Sequence, residues 1–194
     1  SDLEKQNIIS QLESLKNQLN PHFLFNSLNV LSSLIEKDKK SAQKFINEFS
    51  SIYRYVLETS DFPVVDLSDE FNFCESFLKL QKFRFSEGIE YTIDSISNIE
   101  SMFVPPLSVQ LTVENAVKHN IKSQETPLRI TIYCDNPEYI TVKNNYQPRN
   151  ADSKSTGTGL KNLKKRYSLL TDKKPKFAIV DGYFISKTQV IYEE

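Results

Sequence analysis

The sequence predicts an α+β protein, a helical N-terminal part followed by a mixed domain of strands and helices. Three observations carry that expectation. Apolar residues recur at helical spacing from Ile8 to Val56, Asp61-Phe62-Pro63 then breaks the pattern, and beyond it short β-branched runs alternate with helix-length segments.

Taken in order, Ile8, Leu12, Leu15 and Leu19 mark one buried stripe, and residues 1 to about 36 read as a single long helix entered without a cap. Pro21 lacks an N–H and predicts a bend ahead of His22. Past it the apolar face shifts to Phe23, Leu24, Leu28, Leu31 and Ile35, which leaves Gln18, His22, Asn26, Asn29 and Ser33 on a polar ridge. The bland reading of His22 is a core imidazole satisfied by its asparagine neighbours. Residues 37–40 make a turn, and 41–58 form a second helix with Phe45, Phe49, Ile52 and Val56 on one face. Two long helices bury too little area alone, so the hairpin is expected to pair with a second copy as a dimeric four-helix bundle. Residues 61–68 read as a linker, and Leu67-Ser68-Asp69-Glu70 as the capped start of a helix running to about 85. Then come a strand at 89–93, a helix at 106–119, strands at 128–134 and 139–143, a long polar loop at 145–156, a helix at 159–170, and strands at 176–180 and 183–192.

Composition narrows the function. The chain has 194 residues, a net charge of −1, 39% hydrophobic and 25% charged residues. No basic footprint invites nucleic acid, and no run reaches the roughly 20 apolar residues of a membrane-spanning helix. Cys74 and Cys134 have neither disulfide nor zinc spacing, which fits a reducing cytoplasm. The uncapped first helix suggests a fragment that receives a signal from an upstream region.

Two constellations carry chemistry. Only four glycines occur, and two of them stand in Thr156-Gly157-Thr158-Gly159-Leu160 just ahead of a helix, where free N–H groups of the first turn suit a phosphate; the same pattern is also an everyday turn. Glu114-Asn115-Ala116-Val117-Lys118-His119 ends another helix. A solvated Glu114–Lys118 pair is its plain reading, but the amide oxygen of Asn115 is a hard ligand suited to Mg²⁺, with Lys118 and His119 placed to offset phosphate charge.

Together with Gln18-Leu19-Asn20-Pro21-His22-Phe23-Leu24-Phe25-Asn26-Ser27-Leu28-Asn29, Gln81-Lys82-Phe83-Arg84-Phe85 and Val104-Pro105-Pro106-Leu107, these motifs make the chain resemble the cytoplasmic core of a LytS-type sensor histidine kinase over nearly its whole length. The resemblance implies dimerisation and phosphotransfer helices at 1–60 with His22 as phosphoacceptor, and a Bergerat (GHKL) ATP-binding α/β sandwich at 69–194. It implies ATP and Mg²⁺ as ligands, with Asn115 on the metal, Glu114 orienting water or accepting a proton, Lys118 and His119 on phosphate, and Gly157, Thr158, Gly159 and Leu160 at the hinge of a lid. The implied partners are a second copy, the receiver domain of a response regulator and an upstream sensor region in the inner membrane, with phosphatase activity toward the regulator as a second capability.

The chain departs from that family in two places. Asn144 stands where most relatives place an aspartate for the adenine amino group, with Asn145 and Tyr146 following instead of a glycine-rich turn, and Phe23 follows the histidine where many kinases have an acid. A neutral amide accepts a weaker hydrogen bond than a carboxylate does. The rival expectation is therefore a degenerate, non-catalytic dimeric module. Asn26, one turn beyond His22, is expected either to orient the imidazole or to hold a water in line with a phosphoaspartate.

Overall fold

The computed structural model describes residues 2–6, 21–59, 61–94, 99–150 and 158–192. The chain divides into two compact units, Ser1–Phe62 and Pro63–Glu194. In the first, α1 (Pro21–Lys37) and α2 (Lys39–Thr59) are separated by Asp38 alone. The turn is shorter than expected because Asp38 caps α2: its carboxylate accepts the Lys40 N–H at 3.0 Å and the Ser41 hydroxyl at 2.6 Å. The Ser41 hydroxyl holds this carboxyl below the usual range.

Ala42, Phe45, Ile52 and Val56 of α2 are buried, with Phe49 half-buried in an aromatic run that joins Phe23, Phe45 and Tyr53. On α1 the covered face meets the expected one only at Phe23 and Leu31. The less exposed residues are Phe23, Asn26, Ser27, Val30, Leu31 and Leu34, while Leu24, Phe25, Leu28 and Ile35 are 38%, 65%, 49% and 63% exposed. The covered face runs through a serine, which hydrophobicity alone does not select. Gln18, the stripe from Ile8 to Leu19 and the bend expected ahead of His22 lie outside the described residues.

In the second unit, β1 (Val65–Asp66) pairs with β3 (Phe103–Val104), so two positions read as linker enter a small antiparallel sheet. After β1 comes α3 (Leu67–Phe85), with the bounds its pattern predicts; a 3₁₀ turn (Ser86–Gly88) leads to β2 (Ile89–Ile93). Beyond β3 follow α4 (Ser108–His119), β4 (Leu128–Asn136), β5 (Tyr139–Asn145), α5 (Thr158–Ser168), β6 (Lys176–Val180) and β7 (Tyr183–Gln189). The main sheet has order β2-β4-β5-β7-β6, with β2 and β4 parallel and the other neighbours antiparallel. Period-two alternation sends Leu128, Ile130, Ile132, Ile140 and Val142 into the core, and α3 and α4 pack on the sheet. The opposite face carries Glu90, Arg129, Lys143 and Lys187. This is the helix-on-one-face α+β architecture the alternation of segments predicts.

Glu70 is where local sequence reading fails. The start of α3 has no side-chain cap, and Glu70, which looks like part of one, is fully buried. Its carboxylate serves α4 instead, accepting N–H bonds from Leu107 at 3.0 Å, Val109 at 3.1 Å and Gln110 at 3.2 Å. The first turn of α4 thereby gains an anion where its free N–H groups and helix dipole favour one. Leu107 presents its N–H by adopting φ 63°, a conformation that costs a non-glycine residue about 1–3 kcal/mol and persists only when its surroundings enforce it. Glu70→Ala leaves these donors unpaired in the core. It is expected to lower unfolding free energy by about 3 kcal/mol, read as a fall in the urea midpoint; a change below about 0.5 kcal/mol contradicts the capping role.

Candidate functional site

The site grows from α4, which is held at both ends by side chains from elsewhere. Glu70 caps its start. At its end Asn120, buried, donates to the Ala116 carbonyl at 2.9 Å, and Lys122 donates to the carbonyls of Val117 and of Asn120, the latter at 2.9 Å. Lys122 also lies 4.8 Å from the centre of the Phe85 ring, and burial, with Arg149 and Arg84 nearby, pushes its pKa down to about 8. An anion at the N-terminus and a cation at the C-terminus both oppose the macrodipole, so α4 is a rigid base.

On that base stand Glu114, Asn115, Lys118 and His119. Asn115 is half-buried and its side chain makes no hydrogen bond among the described residues, so its amide oxygen is available to a ligand. Glu114, also half-buried, accepts a bond from Gln110 Nε2 at 3.0 Å; among the described residues it does not pair with the exposed Lys118. The expected i,i+4 ion pair is thus replaced by a bond to a fully buried glutamine. Burial depresses the pKa of half-buried His119, and the charges of Lys118, Lys122 and Arg149 depress it further. Lys118 therefore supplies the positive charge of this pair, and His119 a neutral ring.

Asn144 lies on the helix-covered face of β5, 1% exposed, in register with Ile130 and Phe184. Its Nδ2 donates to the Asn145 carbonyl at 2.8 Å. A carbonyl only accepts, so the side-chain orientation follows from chemistry, and Oδ1 is left as an acceptor with no donor among the described residues. The following residues, expected as the start of a loose polar loop, are instead bound to the end of α4. Gln147 N–H donates to Asn120 Oδ1 at 2.9 Å, Ile121 N–H to the Gln147 carbonyl at 2.9 Å, and Arg149 N–H to the His119 carbonyl at 3.0 Å.

Thr158, Gly159 and Leu160 form the first turn of α5; Gly157 lies outside the described residues. A Cβ on exposed Gly159 meets nothing within 4 Å, so no neighbouring atom among the described residues requires glycine there. Arg166, later on α5, donates to the Pro106 carbonyl ahead of α4, tying the two helices together.

A depression of about 380 Å³ lined by Asp94, Arg129, Thr131, Tyr133, Lys143 and Tyr183 lies on the opposite face of the sheet and involves none of these residues. The described residues hold no cluster of three or more His, Cys, Asp or Glu side chains able to cage a metal. Asn115, with Glu114 beside it, fits instead the few-ligand pattern of a Mg²⁺ held mostly by waters and phosphates. In the first unit, His22 is exposed on α1 and Asn26, one turn on, is half-buried. Glu70, Asn120, Lys122 and Gln147 escape local sequence reasoning. Their partners are distant or are backbone atoms, and pattern alone does not reveal them.

The histidine kinase family model matches residues 10–89. The sensor protein LytS of Streptococcus agalactiae is 33% identical over 185 residues, 86% of this chain and 32% of that protein. LytS of Streptococcus mutans is 33% identical over 178 residues, 84% and 30% of the two chains. An uncharacterized sensor-like histidine kinase of Staphylococcus epidermidis is 35% identical over 122 residues, 63% and 23%. The chain spans about a third of the length of the LytS proteins it matches. The solved catalytic domain of histidine kinase ThkA is similar at TM-score 0.49 and 12% identity over 66% of this chain and 93% of that one. Among the described residues, no helix is long and apolar enough to cross a membrane. With His22 inside the segment that the histidine kinase model matches and sequence similarity along most of its length, the chain is a relative of the LytS sensor proteins and of histidine kinases.

Proposed function

We propose that the chain is the cytoplasmic kinase core of a two-component sensor, with His22 taking the γ-phosphoryl group of ATP and passing it to an aspartate of a response regulator. The observation that carries this reading is the exposed His22 within the segment matched by the family model. In the forward step a ring nitrogen of neutral His22 attacks the γ-phosphorus, the P–O bond to the ADP oxygen breaks, a P–N bond forms and the ring proton leaves. Phosphoryl transfer depends chiefly on position and charge neutralisation, so the residues contribute mainly by placement. Asn144 Oδ1 would accept from the adenine amino group, Asn115 would hold Mg²⁺, Glu114 would orient a water beside the ion, and Lys118 would face the phosphates. His119 contributes as a neutral hydrogen-bonding ring. The first turn of α5, Thr158 to Leu160 with Gly157 ahead of it, takes phosphate through backbone N–H groups, and at Gly159 a ligand meets open space. Mg²⁺ on the phosphates neutralises charge that grows in the transition state.

The units are assigned as phosphotransfer helices at 1–60, a connection at 61–68 and an ATP-binding domain from 69. Leu24, Phe25, Leu28 and Ile35 are an apolar surface that a second copy covers in a four-helix bundle. The relatives are sensor proteins about three times as long, and on the family resemblance the further length would include an upstream sensing region in the membrane.

Autophosphorylation is tested with γ-labelled ATP. His22→Gln is expected to abolish covalent label while ATP affinity by calorimetry stays within about twofold, because the residues assigned to ATP all belong to the second unit. Label retained in that variant contradicts the assignment. Asn115→Ala is expected to weaken Mg²⁺-dependent ATP binding by about tenfold or more, the scale of losing a bond to a charged partner, and equal binding removes the metal role.

Asn26→Ala is expected to keep most His22 labelling and to slow dephosphorylation of the regulator by about 10²-fold if Asn26 positions water. A collapse of labelling assigns it to the forward step.

His119 titrates, by NMR, below the ordinary imidazole range, and Arg149→Ala moves its midpoint upward. The folded state resists this proton and the unfolded chain takes it up first, so acidification through the imidazole range costs stability. A His119 midpoint above the ordinary value contradicts this account.

A further inference from the structure

We infer that Gln147, with Asn145 and Asn120, is a positioning device that fixes the base-recognition end of the nucleotide site to the end that binds the metal, and so sets selectivity for an amino-bearing purine. The inference rests on the nucleotide reading above and adds residues that reading does not use. Gln147 satisfies its whole side chain within the protein. Nε2 donates to the carbonyls of Ile121 at 2.7 Å and Thr126 at 2.8 Å, and Oε1 accepts from Asn145 Nδ2 at 3.3 Å. Asn145 is held as fully: Oδ1 accepts the Arg129 N–H at 2.7 Å, and Nδ2 also donates to the Pro127 carbonyl at 3.0 Å. The next N–H, that of Tyr146, donates to the Gly182 carbonyl at 2.8 Å.

These bonds form a continuous path between the two ends of the site. Asn120 is bound to Ala116 of α4, next to Asn115, and accepts the Gln147 N–H. Gln147 grips Asn145, whose carbonyl receives Asn144 Nδ2. With that carbonyl fixed, the Asn144 amide cannot rotate without losing its bond, and Oδ1 stays presented as an acceptor. An amide is symmetric enough to present either NH₂ or oxygen to a base, so a neutral asparagine discriminates only if something holds its orientation. The clasp supplies that constraint. An oxygen kept as the acceptor favours a purine with an exocyclic amino group over one whose carbonyl oxygen repels it.

The test compares Mg-ATP with Mg-ITP, the analogue bearing oxygen in place of the amino group, by calorimetry on the 194-residue chain. The parent is expected to prefer ATP. Gln147→Met keeps the length and removes all three side-chain bonds; it is expected to cut the ATP/ITP preference by about tenfold while ITP affinity stays within about twofold, as for a lost orienting interaction. Equal losses for both nucleotides, or an unchanged ratio in the folded variant, overturn the inference. If circular dichroism shows Gln147→Met unfolded, the ratio is read in Asn120→Ala, which leaves the Gln147 side-chain bonds in place and breaks the path to α4. Loss of folding in both variants makes the clasp a folding element and overturns the positioning role. A parent that binds ATP and ITP equally also overturns the inference and leaves the nucleotide reading standing; a parent that binds neither removes both.

Discussion

A carboxylate removed from water costs several kcal/mol unless hydrogen bonds replace its hydration, and Glu70, with no exposed surface, obtains three of those bonds from the backbone entering α4. The bond is mutual in effect. The N–H groups of Leu107, Val109 and Gln110 are themselves buried donors that the helix cannot satisfy internally. Fixing them fixes where α4 begins and which way its residues point, and the same contact holds α3 to α4. At the other end Lys122 and Asn120 occupy the last carbonyls. A helix clamped at both ends by complementary charge has little freedom to rotate, which is what a site built on its side chains needs.

The remaining contacts extend that rigidity outward. Arg166 joins α5 to the Pro106 carbonyl, so the helix whose first turn holds Gly159 is referenced to the start of α4. Tyr167, fully buried beside it, donates to the Gln189 carbonyl at 3.0 Å and ties α5 to the end of β7; burial raises its phenol far above the ordinary range, so it remains a donor at any physiological pH. The clasp around Gln147 references the end of β5 to the other end of α4. Three separate parts of the proposed nucleotide site are in this way positioned by one helix. The histidine unit follows different rules: its two helices are joined by a single capping aspartate, and its apolar surface exceeds what the hairpin covers.

Much of this was legible in the chain, and the gaps have physical causes. The bounds of α3 match the periodic pattern because its apolar face is long and uninterrupted by small polar residues. The covered face of α1 keeps Phe23 and Leu31 of the hydrophobic pattern but departs from it at Ser27, whose burial reflects packing and not hydrophobicity. Glu70 was read as a local cap because sequence rules count residues within one turn, whereas its partners lie 37 to 40 positions away. Glu114 and Lys118 have ion-pair spacing, yet Gln110 on the same helix takes the carboxylate first. At Gly159 the pattern suggests a backbone reason, yet among the described residues a Cβ there meets nothing within 4 Å. The two-residue strands β1 and β3 carry too little pattern to be seen at all.

The central claim is that His22 becomes covalently phosphorylated by ATP held on the second unit. Its most direct test is the chemistry of the bond formed when the chain is incubated with Mg²⁺ and γ-labelled ATP. A phosphorus–nitrogen bond to imidazole is lost in acid and survives base, and the label is expected to behave so and to map to the peptide containing His22. Label that survives acid, or that maps to any other residue, contradicts the account.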